Sequence, residues 1–260
     1  MECMKINEID YVLDSIGFVV ARSALTRDTV DRLNGLVNKA VGVNTVAKFA
    51  IMELDDAFMD LMTHPWVMDV LGRVLGQQFR FDHAFGLQQP VAGANLHGGP
   101  GACQGSCFYH NAALYPSVGR VSVGFALTAQ SPEIGGFAYI PGSHKSKYPY
   151  HGSVVLSQIC NNDFTHEAIC IPKLEAGDIC LFPDCLVHGT APWSASYTRR
   201  VLYYMYSPGY MAWRPYAEIE RYTHRAVTDL QRQLLRPPYV AAFDEEDLHI
   251  GSNIWRTPSI

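Results

Sequence analysis

The chain lacks any run of about 18 apolar residues, so no membrane helix is expected. It has no surplus of positive charge: 20 Lys and Arg stand against 25 Asp and Glu, a formal net charge of −5. That balance offers no track for a nucleic-acid polymer and no basic face for a membrane surface. There is no CxxC pair, and seven scattered cysteines are an odd number. Neither a disulfide framework nor a four-cysteine zinc site fits that pattern; Cys103 and Cys107 alone share a Gly-rich loop. Internal repeats and low-complexity tracts are also missing. The N-terminus carries Glu2, Glu8 and Asp10 instead of a basic, then apolar, leader. The expectation is a cytoplasmic protein in a reducing compartment.

What is present is ordinary globular material: 260 residues, 48% apolar. A chain of this size buries enough surface to fold without staples. The reading is one domain, 1–260, in three parts. Residues 1–78 are mostly helical. Thr26 caps a helix with Val30, Leu33, Leu36, Val37, Ala40 and Val41 at helical spacing. A second helical pattern runs from Asp55 to Leu75, broken at Pro65 and stopped at Gly76. Before both, Gly17 to Val20 reads as a short strand. Residues 79–210 change texture: short apolar runs alternate with Gly, Pro, Asn and Asp. Strands are expected at Phe79–Gln89, Val121–Ala129, Gly136–Ile140, Ala168–Ile171, Asp178–Phe182 and Arg200–Ser207. Their spacing suits a jelly roll better than a βαβ array. Residues 211–260 return to one helix, Pro215 to Leu235, and a tail. The charges between Arg214 and Arg236 read as its solvated face. The expected fold class is therefore mainly β with flanking helices.

Four segments carry chemistry: Asn95-Leu96-His97-Gly98-Gly99, Ile140-Pro141-Gly142-Ser143-His144-Lys145, Ala176-Gly177-Asp178 with its apolar continuation, and His188-Gly189-Thr190 followed by Arg199. Two imidazoles from distant strands suit a non-haem iron site. Arg199 stands eleven residues past His188, room for a turn and a returning strand. Its planar fork matches a carboxylate. Thr190, two residues past His188, shares its face in an extended segment and can add a hydroxyl.

In this order, the segments resemble the phytanoyl-CoA dioxygenase family of iron(II)/2-oxoglutarate enzymes. The Gly135–Lys145 stretch, Gly177-Asp178 and His188-Gly189-Thr190 match most closely, and Ser15–Val20 resembles the family's opening strand. The resemblance spans roughly residues 10 to 210. It implies a double-stranded β-helix (cupin-like), iron(II) on His97 and His188, and 2-oxoglutarate on Arg199 and Thr190. The family places polar contacts to the cosubstrate on the strand before the first ligand, which holds His83, Gln88 and Gln89. Gln89 is the candidate there. By strand alternation Arg200 is expected to face outside.

The sequence departs from the family where its HxD carboxylate falls on Gly99. No Asp or Glu lies between Phe85 and Ala129, so a small slip of register restores nothing. In aliphatic halogenases resembling this family, the missing carboxylate leaves a metal position for chloride or bromide. The expected reaction is thus halogenation of an unactivated C–H bond in a small molecule. Three alternatives stay open: hydroxylation with water at the vacant position, a carboxylate such as Asp82 or Asp184 completing the shell, or a non-catalytic metal- and 2-oxoglutarate-binding module. A cupin-like isomerase or sugar binder fits Arg199 and Thr190 less well. Tyr109, His110 and Asn111, after a flexible loop, and Trp193 are candidate pocket residues. His144 reads as structural. Substrate and oligomeric state are not legible.

Overall fold

The computed structural model describes residues 8–43, 45, 47–89, 94–99, 105–110, 117–147 and 164–239. Cys3, Cys103, Asn111, Cys160 and the tail beyond Tyr239 lie outside the described residues.

Helices α1 (Glu8–Ile16), α2 (Arg27–Val41), α3 (Asp56–Leu61) and α4 (Pro65–Val74) make up most of the first third, with strands β1 (Val19–Ala21) and β2 (Ala47–Phe49) between them. The long strand β3 (Arg80–Gln89) opens the β region. It is followed by β4 (Ala94–His97), β5 (Tyr109–His110), β6 (Ser117–Val118), β7 (Val121–Ala126), β8 (Gly136–Tyr139), β9 (Ile179–Pro183), β10 (His188–Ala191) and β11 (Arg199–Ser207). Helices α5 (Tyr216–Glu220) and α6 (Asp229–Leu234) close the described chain. Thr26 caps α2 through the Thr29 amide, and Val30, Leu33 and Val37 are its buried stripe, as the spacing requires. Pro65 begins α4 instead of interrupting one helix, because its ring suits a first helical turn.

Six strands form the major sheet in the order β1-β9-β7-β11-β3-β2; β4-β10-β8 form a smaller one. All pairs are antiparallel. The two sheets face each other as a jelly roll, joined by aromatic contacts such as Phe137 on Phe182, 4.8 Å between ring centroids. Strand alternation sorts the major sheet into two faces. Phe125, Ile179, Leu181, Leu202, Tyr204 and Tyr206 join the core under the helices. Ala126, Cys180, Phe182, Val201, Tyr203 and Met205 face the interior of the barrel.

Three expectations need correction. Ala168–Ile171 is not a strand; only Cys170 pairs, through one isolated bridge to Tyr139. The helix expected from Pro215 to Leu235 is two short helices with a 3-10 turn, Thr223–Arg225, between them. Thr228 starts a new helix there with a capping box to Gln231, and a cap needs a non-helical residue. The charges of this region are not all solvated: Arg225 turns in to the Met52 carbonyl and pairs with Asp56. Strands β2, β4 and β10 were not foreseen. Each is only three or four residues long and carries glycine, polar or charged residues that blur the alternation.

His144 is structural, as expected. It is fully buried, and its Nε2 donates to the Asp14 carbonyl at 3.0 Å, tying α1 to the barrel. Gly17 leaves it room: a Cβ there would stand 2.5 Å from the ring's Nδ1. Burial pushes the imidazole down to about 4, because a second N–H would find no acceptor among the described residues. The unfolded chain takes up this proton near pH 6.5, whereas the fold resists it until about 4. Unfolded protein binds more protons in that window, so stability falls as pH drops through it, by up to about 3 kcal/mol. Thermal melts of wild type and His144→Asn should converge as pH approaches 4; parallel curves would refute this role.

Candidate active site

The register of the smaller sheet brings the two histidines together. His97 ends β4, His188 begins β10, and the two are direct cross-strand partners. Opposed residues of an antiparallel pair share a face, so their rings meet with centroids 4.3 Å apart. Pairing thus closes a gap of 91 residues in sequence. Each ring already has its tautomer set. His97 Nδ1 lies 2.9 Å from the Asn95 carbonyl, and His188 Nδ1 lies 2.6 Å from that of Leu186. A carbonyl only accepts, so both Nδ1 atoms carry hydrogen and both Nε2 atoms keep a lone pair. Burial first, and then the neighbouring His97, push His188 down to about 4. It is therefore neutral at ordinary pH, the state a metal requires. These residues fit an imidazole-bound divalent metal.

Among the described residues no group of three or more His, Cys, Asp or Glu side chains gathers for a metal. The two candidate carboxylates are both engaged. Asp184 binds Arg120 and the Ser122 hydroxyl. Asp82 accepts from the Trp213 amide at 2.8 Å, contacts His83 Nδ1 at 2.7 Å, and lies 3.6 Å from Arg80. The glycines after His97 have a backbone reason of their own. Gly98 and Gly99 have φ of +105° and +91°, a region that side chains disfavour. Gly99 N–H donates to the Cys185 carbonyl at 3.0 Å, and a Cβ on Gly98 would lie 2.5 Å from the Leu186 carbonyl oxygen.

Arg199 lies on the inner face of β11 and is 3% exposed. Its guanidinium donates to the Tyr203 hydroxyl at 3.3 Å and to Gln89, its partner in register on β3, at 3.4 Å. Among the described residues no carboxylate pairs with it. A buried cation with only neutral partners is costly, and the arrangement suits an anion that is itself brought in. Arg199 and Tyr203 line a small pocket, about the size of one water, with Gly124, Cys180 and Phe137. Gly124 keeps it open, since a Cβ there would approach the Cys180 sulfur to 2.8 Å. Thr190 is buried, on the same alternate face of β10 as His188 and opposite Phe137 in register.

Arg200 corrects the sequence reading. It points away from the barrel but is not outside the protein: α2 covers it and it is 7% exposed. Its guanidinium donates to Gln88 at 2.7 Å, to Asn34 at 3.1 Å and to Asn38 at 2.5 Å. Gln88 therefore belongs to this outer network.

The expected pocket residues make contacts of their own within the fold. Tyr109 is buried, donates its hydroxyl to Asp14 at 2.5 Å and packs edge-on against His144; it fastens the β5 hairpin to α1. Trp193 is buried and donates its indole N–H to the Tyr197 carbonyl at 2.6 Å, which makes it a strut of its own loop. His110 is exposed and stacks on Phe108. Sequence reasoning missed Tyr203, although its spacing of four from Arg199 on a strand places the two on one face. It also missed Trp213, which no motif marks.

The family profile described as "Phytanoyl-CoA dioxygenase (PhyH)" matches residues 13–201. The chain belongs to this family of iron(II)- and 2-oxoglutarate-dependent oxygenase-like proteins. Among solved structures it is similar to HygX from Streptomyces hygroscopicus with nickel and 2-oxoglutarate bound, at 20% identity and a TM-score of 0.70. That match covers 82% of this chain and 90% of that one. A further HygX structure also contains hygromycin B. EctD from S. alaskensis matches at 17% identity and a TM-score of 0.59, over 77% of this chain and 76% of that one. The epimerase SnoN from nogalamycin biosynthesis, described as a non-heme alpha-ketoglutarate-dependent enzyme, matches at 18% identity and 0.59, over 80% and 82%. These likenesses establish the shared fold. No curated protein matches the sequence. Among the described residues no helix is long and apolar enough to cross a membrane.

Proposed function

We propose that the chain is an iron(II)/2-oxoglutarate-dependent enzyme that oxidises an unactivated C–H bond of a small molecule. The observation that carries this is the register pairing of His97 with His188, each holding a carbonyl through Nδ1, in a barrel that also buries Arg199 with no carboxylate partner among the described residues. His97 and His188 hold the metal. Arg199, with Tyr203, Gln89 and Thr190, holds the far carboxylate of 2-oxoglutarate. Bound iron and 2-oxoglutarate supply the oxidising chemistry, releasing succinate and carbon dioxide. The aromatic wall of Phe137, Phe182 and Phe18 keeps water from the buried end of the cosubstrate.

With Gly99 in place of a carboxylate, a metal held by His97 and His188 would keep a position that chloride or bromide would fill. The product then carries a carbon–halogen bond, with one halide and one proton consumed and one water released. Hydroxylation is the second reading. It is favoured by the positive φ at Gly98 and Gly99, which accounts for glycine there without a halide.

The test loads the protein anaerobically with iron(II) and 2-oxoglutarate, then adds oxygen with and without chloride. Succinate release above a His188→Ala control is expected. A change of the iron–2-oxoglutarate visible charge-transfer band on adding chloride supports halogenation; an unchanged band supports hydroxylation. No cosubstrate-dependent band and no succinate would leave only a binding module.

A further inference from the structure

The mouth of the barrel beside the metal ligands holds a concentration of positive charge and aromatic surface that the cosubstrate reading does not use. Lys48 lies on the edge strand β2, opposite Leu87 in register, so it projects on the same face as the barrel lining. Its ammonium stands 3.9 Å from the centroid of the Phe85 ring. Among the described residues Lys48 has no acidic partner; the charged groups that act on it are two more cations, Arg214 and Arg120. Both of these guanidiniums lie over Trp213, at 4.9 and 4.4 Å from its centroid. Trp213 is 38% exposed, and His83 links it to Phe85 in a line of rings, 5.4 and 6.3 Å between centroids.

Two of the three cations carry counter-charges of their own. Asp184 faces Arg120, and Glu218 reaches Arg214 only at 3.6 Å on a half-exposed pair. Arg120 is neutralised by Asp184 and Arg214 in part by Glu218, so among the described residues Lys48 is the cation that an incoming anion would relieve most. Burial and the two arginines hold the Lys48 ammonium below its ordinary value, a sign of that crowding. The cluster also adjoins the metal site: Arg120 acts on His188 electrostatically, and a Cβ on Gly98 would lie 3.2 Å from the Asp184 carbonyl oxygen.

We infer that Lys48, Arg214 and Arg120, with Phe85 and Trp213 as walls, form a subsite for the oxyanion group of the primary substrate. The substrate is thus a small acid, with a carboxylate or a phosphate carried on a planar or apolar body. This deepens the proposed function, resting on His97 and His188 as the metal centre beside the subsite. Lys48 anchors the acid, and the rings stack on the body that carries it. The substrate's oxyanion is held apart from the 2-oxoglutarate carboxylate, which belongs to Arg199 deeper in the barrel.

The experiment is a calorimetric titration of the full chain with benzoate, phenyl phosphate and neutral benzamide, each with and without saturating 2-oxoglutarate. At least one of the two acids is expected to bind about tenfold more tightly than benzamide, and which one binds better separates carboxylate from phosphate. Saturating 2-oxoglutarate should leave this binding intact. Lys48→Met and Arg214→Gln, both at accessible positions, should each weaken it about fivefold or more. Their affinity for 2-oxoglutarate and their melting temperature should match wild type. Equal binding of acid and amide, no loss in Lys48→Met, or displacement by 2-oxoglutarate would overturn the subsite. Failure of 2-oxoglutarate itself to bind would count against the enzyme reading, and the acid titration without it still reports on Lys48.

Discussion

Arg199→Leu should raise the 2-oxoglutarate concentration needed for half-maximal turnover by on the order of a hundredfold, and Arg200→Leu should barely change it. The two residues are neighbours on β11, yet they serve opposite faces. Among the described residues Arg199 has the neutral Tyr203 and Gln89 as its side-chain partners. Truncating one half of a buried charge pair costs about 3 kcal/mol or more, here felt only when the keto-diacid is bound. Stability should be unchanged or slightly higher, because a buried cation without a counter-charge is removed. Arg200 is the converse case. Its loss strands the side-chain acceptors of Gln88, Asn34 and Asn38 beneath α2. A penalty of about 3 kcal/mol lowers the melting temperature of a chain this long by about 5–10 °C. Cosubstrate titrations and thermal melts of both variants are sufficient. A cosubstrate defect in Arg200→Leu with none in Arg199→Leu would reverse the assignment.

That pair also marks how far the sequence could be read. Alternation tells that Arg199 and Arg200 diverge, and motif order tells which one faces the barrel interior. It does not tell that the other side of the strand is packed under a helix, because the partners of Arg200 come from Asn34 and Asn38, over 160 positions earlier. The jelly roll was legible because its long strands β3, β7, β9 and β11 carry apolar runs bounded by turn residues. Strands β4 and β10 were not legible as strands, although they hold both histidines. Their polar and glycine residues break the apolar alternation even where, as at Gly189 and Thr190, the position is buried. The expected pocket residues show a related limit of motif reasoning, in that their contacts come from a distant side chain or from local backbone. Tyr109 and Trp193 are near functional motifs in sequence, but their polar atoms are already taken by Asp14 and by the Tyr197 carbonyl. Lys48 and Trp213 flank the barrel from segments with no motif, and only the cross-strand register and the packing of the chain after β11 bring them to its mouth.

Gly99 is where a sequence argument and a backbone argument compete, and two substitutions separate them. At φ +91° any side chain is strained, so Gly99→Ala and Gly99→Asp should both lose about 1–3 kcal/mol, seen as a similar fall in melting temperature. Alanine adds no ligand. It should keep the response of the iron–2-oxoglutarate band to chloride and keep the halogenated product, at reduced yield. Aspartate adds a negative charge and a donor where the halide is proposed to bind. It should abolish the chloride response while leaving 2-oxoglutarate binding at Arg199 intact. If Gly99→Asp still answers to chloride, the halide does not occupy the position this glycine vacates. If Gly99→Ala is already silent, the glycine is there for the turn against Cys185 and Leu186 alone, and the hydroxylation reading takes its place. The comparison works because both variants carry the same backbone cost, so any difference between them belongs to the carboxylate.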